Sequence, residues 1–557
     1  MMAKRIISTI LAGASLTGAA IAQNSTDALL DKLVQKGILS GQEAQDLKSE
    51  NLTNSAPPAP QGLQWKITHA LKNIELFGDL RFRYEYRSAQ FGSGLATYPA
   101  ADYAGTKSVN LSDAHDSLDR FRYALRFGAR GDLTDDIYFG LRFETSPNPR
   151  SPWNTFGNSS GSSAPYQGPF SKANNYGIFI GQAYLGWKPA DWVDVSLGRI
   201  AQPLYTTPMV WDSDYCPEGA VEKFSYKVGK ADLFATFGQF IYQDTSPGNG
   251  SQVIGVVGEG NSSTGMGVGN NAPWLLAWQV GVNYHISTNM SFKVAPAIYN
   301  YTGRGNATAG FFGPFVGQGT SFGLNYVNLT SSSSTVPGIS GKPNPVIPAP
   351  ATAAGNTYIN GYNQTGINDL LIMEIPAELN FKLGSLPARV FGDFSVNWNG
   401  DQRARAAYAA GEADYPFEAL QTPTGLGQPN PFPNGPVLGQ DKAWQIGLAV
   451  GTSPDLTYGR VARKNTWEAR VYWQRIEQYA LDPNLIDSDF FEGRGNMEGI
   501  YAAFAYSFTD AMIATLRYGR AERVDKSLGS GGFNADLPLP NPITKYDLVQ
   551  LDLTLKF

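Results

Sequence analysis

The chain has 557 residues, one cysteine, 61 glycines, 28 tyrosines, 30 phenylalanines and 11 tryptophans, with only 16% charged residues. A single cysteine excludes a disulfide framework, and the composition suits short strands and aromatic girdles better than a helical core. The formal charge of −5 carries no basic footprint for nucleic acid, and no cofactor is expected.

Lys4 and Arg5 precede an apolar stretch, Ile6 to Ile21, that ends in Ala20-Ile21-Ala22. This is the pattern of a secretory leader, residues 1–22, cleaved after Ala22. The stretch is too short, and too rich in Ala, Gly, Ser and Thr, for a spanning helix, and no later segment offers about 20 consecutive apolar residues. The mature chain is therefore expected outside the cytoplasm. Residues 23–50 read as a short periplasmic helical hairpin. Leu29, Leu30, Leu33 and Val34 recur at helical spacing, Gly37 ends the first helix, and Ser40 with Glu43 caps the second. It is either a solvated tail or an oligomerisation or docking element. A linker at 51–73 follows, stiffened by Ala56-Pro57-Pro58-Ala59-Pro60.

From Ile74 onward one pattern repeats. In the first segment, 74–87, Leu76, Leu80, Phe82, Tyr84 and Tyr86 take one face, and Glu75, Asp79, Arg81, Arg83, Glu85 and Arg87 the other. A nearly all-charged face cannot pack into a dry core. A water-filled barrel in lipid satisfies both faces. The alternation recurs over 119–133, 137–146, 177–188, 192–200, 219–228, 231–242, 274–284 and 290–301. It continues over 369–382, 388–398, 443–451, 465–477, 496–508, 511–522 and 546–557. That gives about sixteen strands, an even number as bacterial single-chain barrels require. Links after even strands are short, and links after odd strands are long, as expected of periplasmic turns and extracellular loops. Both termini then lie in the periplasm. The longest link, 302–368, with its serine run 331–334 and prolines from 343 to 350, reads as irregular, folding into the lumen or over the mouth. The fold expected for 74–557 is thus all-β, a transmembrane antiparallel barrel with long extracellular loops.

The last strand keeps an unbroken apolar row, Val549, Leu551, Leu553, Leu555 and Phe557. It resembles the C-terminal strand of outer-membrane barrels, whose final Phe is part of the signal read by the barrel-assembly machinery. Arg120-Phe121-Arg122-Tyr123-Ala124-Leu125-Arg126-Phe127, Ala183-Tyr184-Leu185-Gly186-Trp187, Gly198-Arg199-Ile200 with Pro203, and Met209-Val210-Trp211-Asp212 resemble the porins distantly similar to phosphate-selective porins. The resemblance implies a passive outer-membrane pore, set in lipid and passing small hydrophilic solutes or ions. No lysine-rich cluster of the phosphate-selective kind is evident.

Strand parity assigns Arg81, Arg83, Arg87, Arg120, Arg122, Arg126, Arg130 and Arg142 to the water face of three consecutive strands. Arginine stays ionised, and its planar fork suits carboxylate or phosphate. Acidic lumen candidates are Glu222, Asp232, Glu374, Glu378, Asp393 and Asp552, with Asp212, Asp214 and Glu218 from the third long loop, 201–218. In loop order and charge this resembles general porins, whose third loop folds inward against a basic wall. Two readings follow. The arginines form a positive strip facing those acids, with a weak anion preference, or they pair with Glu75, Asp79, Glu85, Asp132 and Glu144 as a salt-bridged wall. Tyr86, Trp187, Trp192, Trp278, Trp398 and Trp473 are girdle candidates, and Cys216 reads as a small buried side chain. A homo-oligomer such as a trimer is a possible state. The competing functions are an adhesin or a phospholipase-like barrel enzyme. His69 before the barrel, His115 in the first long loop and His285 in a short turn are the only histidines, and no pair of them sits at an outer rim.

Overall fold

The computed structural model describes residue 36 and residues 73–91, 98–102, 105–109, 115–148, 151–157, 177–242, 274–302, 327–328, 358–359, 370–409, 436–457, 462–482, 485–525 and 543–557. The expected leader, the helical hairpin apart from Lys36, the linker before Asn73, His69 and nearly all of the 302–368 link lie outside the described residues. The barrel unit runs Ala70–Phe557.

Alternating residues build sixteen antiparallel strands. These are β1 (Glu75–Phe91), β2 (His115–Asp132), β3 (Ile137–Glu144, resuming at Asn154–Thr155), β4 (Phe179–Ala190), β5 (Val193–Arg199), β6 (Glu218–Val228), β7 (Ala231–Ile241) and β8 (Trp274–Ser287). Then come β9 (Met290–Val294 and Ala297–Thr302), β10 (Leu371–Glu374 and Ala377–Leu383), β11 (Leu386–Asn397), β12 (Lys442–Gly451), β13 (Thr466–Ile476), β14 (Met497–Ser507), β15 (Met512–Arg523) and β16 (Ile543–Lys556). Each strand pairs with its chain neighbours, and β1 pairs with β16 from Asp79↔Lys556 to Gln90↔Lys545, closing the sheet. The breaks in β9 and β10 fall at Pro296 and Pro376, which have no N–H for the ladder. Their carbonyls still accept, from Val280 and Ala295, both at 3.1 Å, so pairing resumes at once.

Period-two alternation also sorts the faces. Leu76, Phe82, Phe121, Leu185, Leu197, Tyr226, Val280, Ile446 and Leu551 are exposed on the outer surface, as are all six girdle candidates. Inner positions are polar or are covered by infolded loops. Within the wall, Gly140 lies under the Tyr184 ring and Gly186 under the Tyr138 ring, where a Cβ would meet ring carbons at 2.4 and 1.9 Å. The two tyrosine rings so fill the space left at both glycines. Alternation of apolar and charged residues is thus sufficient to place the strands, but it says nothing of what fills the barrel.

Candidate functional site

Long loops enter the barrel, and two of them meet inside it. The loop after β5, residues 200–217, carries Met209-Val210-Trp211, all buried. The Trp211 ring lies 5.8 Å from that of Phe240 on β7 and 6.1 Å from that of Tyr299 on β9. The loop after β13, residues 477–496, carries Leu485, Ile486, Phe490 and Phe491, also buried. The Phe490 ring lies tilted at 5.3 Å from that of Tyr501 and edge-on at 6.1 Å from that of Tyr472. Burying such a side chain stabilises by about 1.5–3 kcal/mol, so both loops are held as parts of the interior.

Polar anchors fix the first loop to the wall. Gln279 on β8 accepts from the Tyr205 amide at 2.8 Å and donates to its carbonyl at 2.7 Å. Thr206 donates to Glu374 at 2.6 Å, Tyr299 donates to Glu374 at 2.5 Å, and Thr207 donates to Asp393. Glu374 is 0% exposed. Its expected place on the water face is therefore corrected: the loop covers it, and it acts as an anchor, as does buried Asp393.

The two loops meet through a repeated tripeptide, Asp212-Ser213-Asp214 and Asp487-Ser488-Asp489. In each, the first carboxylate accepts from the amide two residues on, at 2.9 and 3.1 Å, which is an Asx turn. The Asp212 carboxylate also accepts from the Ser488 amide at 3.1 Å, the Asp212 amide donates to the Leu485 carbonyl at 2.5 Å, and the Asp487 amide donates to the Pro208 carbonyl at 3.0 Å. These bonds latch the loops together inside the barrel.

Beside the latch stands the arginine wall. Glu85, 0% exposed, is reached by Arg120 at 2.5 Å, Arg87 at 3.0 Å, Arg122 at 3.5 Å and Arg83 at 3.6 Å. Asp489 accepts from Arg83 at 3.0 Å and from Arg87 at 3.1 Å. Asp552 on β16 accepts from Arg83 at 2.7 Å and from Arg517. Arg83 lies 4.1 Å above the Trp153 ring, and Arg122 donates to the Trp153 carbonyl at 3.3 Å. Arg126 bridges Asp79 at 3.2 Å and Asp214 at 3.1 Å, and Arg81 pairs with Asp79 at 2.6 Å. Arg142 pairs with Glu144 at 3.0 Å and lies 3.4 Å from the sulfur of buried Cys216. Arg130 pairs with Glu75 at 2.8 Å at the exposed rim. Strand acids neutralise part of the wall, and loop acids Asp214 and Asp489 neutralise another part.

Four acids stand elsewhere. Glu218 opens β6 and lies on its outer face, paired with Arg199 at 2.5 Å. Glu222 shares that face and accepts from Gln239 at 2.9 Å. The expectation of lumenal Glu218 and Glu222 is corrected by their parity with Phe224, Tyr226 and Val228, which was available in the sequence. Glu378 on β10 faces Arg389 at 3.5 Å. Asp232 binds His285 at 2.6 Å and lies 3.6 Å from Lys227. His285 falls within β8 rather than a turn, and among the described residues no hydroxyl or thiol is hydrogen-bonded to it.

Sequence reasoning missed Asp489, Arg517, Trp153 and the whole second loop. The recurrence of Asp-Ser-Asp was the signal that could have found it.

Burial, with the Asp489 carboxylate nearby, pushes Asp487 up to about 6 from its ordinary 3.8. The docked loop therefore holds this proton more tightly than an undocked loop does. The stabilisation is full below pH 3.8 and is lost as pH rises through about 6. Single-channel conductance is expected to fall on going from about pH 7 to about pH 5, as the latch tightens. Asp487→Asn should show the low-pH conductance throughout. A pH-insensitive wild type would show that protonation of the Asp487 carboxyl does not govern the latch.

A family model described as "Putative porin" matches residues 63–310 and 369–557. The chain belongs to this porin family. The similar solved structures include a loop-deletion mutant of OmpT, an outer membrane protein of Vibrio cholerae, at 9% identity. It covers 87% of this porin and 99% of that chain, with a TM-score of 0.36. A substituted Rh. blastica porin is 8% identical over 87% of this porin and 100% of that chain, with a TM-score of 0.32. No curated protein matches the porin in sequence.

Among the described residues, two spaces that each admit many waters lie between the infolded loops and the wall. One of about 380 Å³ is bordered by Arg81, Arg126, Asp214, Asp489 and Arg517. The other, of about 790 Å³, lies against β4–β9.

Proposed function

We propose that this porin is a passive channel of the outer membrane for small hydrophilic solutes, with a weak preference for anions. The observation that carries the reading is a closed barrel whose inner wall is charged and whose lumen is narrowed, but not filled, by two latched loops. Charged walls favour hydrated solutes, because a solute stripped of water is not compensated there by apolar contact. The test is the conductance of the purified protein in a planar bilayer. Discrete ohmic steps with an anion-favouring reversal potential in a salt gradient are expected. Absence of conductance would end the channel reading, and a zero or cation-favouring potential would end the anion preference.

Self-association belongs to the same reading. Glu222 and Gln239 lie among Val195, Leu197, Phe237 and Leu276 on the outer face, with the Arg199–Glu218 pair beside them. Charged groups are disfavoured against acyl chains. A second copy of the chain, carrying the same acids and arginine, satisfies them. Glu222→Leu is expected to shift the detergent-solubilised protein to a smaller species in light scattering. A lipid-facing site predicts instead an unchanged mass and equal or greater heat resistance.

A further inference from the structure

The larger lumenal space differs in chemistry from the arginine side. It lies beneath Pro203, Leu204 and Tyr205 of the first infolded loop, and Lys188 of β4, Lys223 of β6 and Lys293 of β9 all border it. Strand parity turns each of them inward. Lys188 shares its face with buried Gln182, Lys223 with fully buried Val221, and Lys293 stands opposite Asn283. On the other side of the lumen Arg81, Arg83, Arg126, Arg142 and Arg517 each have a carboxylate partner. Among the described residues, none of the three lysines has a carboxylate oxygen within 4.0 Å.

Aromatic rings hold two of these lysines, and Lys223 stands opposite Asp194 in the β5–β6 register. The Lys293 ammonium lies 3.7 Å from the Tyr205 ring centre and 5.3 Å from that of Phe234, and Lys188 lies 5.0 Å from the Tyr138 ring centre. Ring faces attract a cation without neutralising it. Tyr205 is itself pinned through its backbone to Gln279, so the ring is a fixed surface. The acids of the same space are Asp194, which accepts from Tyr138 at 2.5 Å, and Asp135 and Asp191 in the short turns at its mouth. Lys293 also has Glu378 across the strand pair. The arrangement is three ammonium groups and two ring surfaces inside, with two of the carboxylates at the entrance.

We propose that this lysine cavity is a saturable site for small organic carboxylates, the ammonium groups taking the carboxylate and Tyr205 with Phe234 taking the apolar body. The inference rests on the channel reading and names its solute class. About 790 Å³ exceeds what a bare inorganic anion needs, and the rings give the remainder of an organic acid a surface that a chloride or phosphate cannot use.

The probes are benzoate, neutral benzyl alcohol and inorganic phosphate, added to the purified protein in a planar bilayer carrying chloride current. Benzoate is expected to reduce the current with saturation. The half-inhibiting concentration should rise about fivefold in Lys223→Gln and again in Lys293→Gln, the size expected for one nearby charge in water. Benzyl alcohol should not inhibit, and phosphate should inhibit more weakly than benzoate. Arg81→Gln, on the paired side, should leave the benzoate response unchanged. Normal conductance without benzoate inhibition, or inhibition unaltered by the lysine substitutions, overturns the site. Phosphate equal to benzoate overturns the role of the rings. A protein with no conductance fails the channel reading instead, and titration calorimetry with benzoate then decides the site alone. Saturable heat that is lost in Lys223→Gln upholds it, and no heat overturns it.

Discussion

Glu85→Ala is expected to lower the temperature at which the folded barrel converts to its slower-migrating form, and to widen the lumen. Glu85 is fully buried and reached by Arg83, Arg87, Arg120 and Arg122. Gln550 on β16 also donates to it at 2.8 Å. Without this carboxylate the four guanidinium groups lose the acid that all of them share, and burying poorly compensated charge is costly. Removing one partner of a buried pair typically costs about 3–5 kcal/mol. Repulsion among the arginines is relieved most easily when they turn toward admitted water, which loosens the contact between the wall and the loop that carries Asp489. The heat-modifiability midpoint and the conductance of the variant check this together: the first should fall and the second rise. Arg120→Ala with Arg122→Ala should cost less, because Glu85 keeps Arg83 and Arg87. An unchanged midpoint in Glu85→Ala would show that the network is solvated and bears no part of the fold. The same double substitution decides whether these arginines contribute to ion preference.

The sixteen strands were legible because each carries its own evidence. Period-two alternation places β1, β6 and β16 without any knowledge of their neighbours, and the short and long links then order them. The breaks of β9 and β10 at Pro296 and Pro376 were not read from the alternation, which runs on through both prolines. Errors arose where two signals on one strand disagreed. In β6 the polar residues Glu222 and Lys223 point to opposite faces, and charge alone cannot choose between them. The aromatic parity of Phe224 and Tyr226 chooses correctly. The interior was less legible for a different reason. Whether an arginine meets a carboxylate depends on which loop folds in and how deep. Nothing periodic marks 477–496 as an inward loop except its apolar pairs Leu485-Ile486 and Phe490-Phe491, and its copy of Asp-Ser-Asp. The lysine cavity was hidden more completely, since Lys188, Lys223 and Lys293 are scattered over three strands and only barrel closure brings them to one space.

Closure itself offers the second large effect. Phe557 donates from its amide to the Gly78 carbonyl at 3.1 Å, and the Gly78 amide donates to the Phe557 carbonyl at 2.8 Å. The Phe557 ring, 69% exposed on the outer surface, lies over Gly78. A Cβ at Gly78 would stand 2.5 Å from the ring and 2.7 Å from the Arg126 carbonyl. The ring could swing aside, but the β2 backbone could not, so Gly78→Val is expected to disrupt the β1 ends of both the β1–β16 and β1–β2 ladders. We propose that Phe557 has a separate role as the residue read by the barrel-assembly machinery, and the two variants separate the roles. Deleting Phe557 removes two hydrogen bonds, together worth about 1–3 kcal/mol, a small loss for a barrel of this size. Refolded into lipid vesicles, where no machinery acts, the deletion variant should therefore form a heat-modifiable barrel, whereas Gly78→Val should refold poorly. In cells the order should reverse. Gly78→Val keeps the terminal signal and should reach the outer membrane in a loosely closed, protease-sensitive form, and the Phe557 deletion should fail to insert. Wild-type levels of folded deletion variant in the outer membrane would reduce Phe557 to a packing residue of the seam.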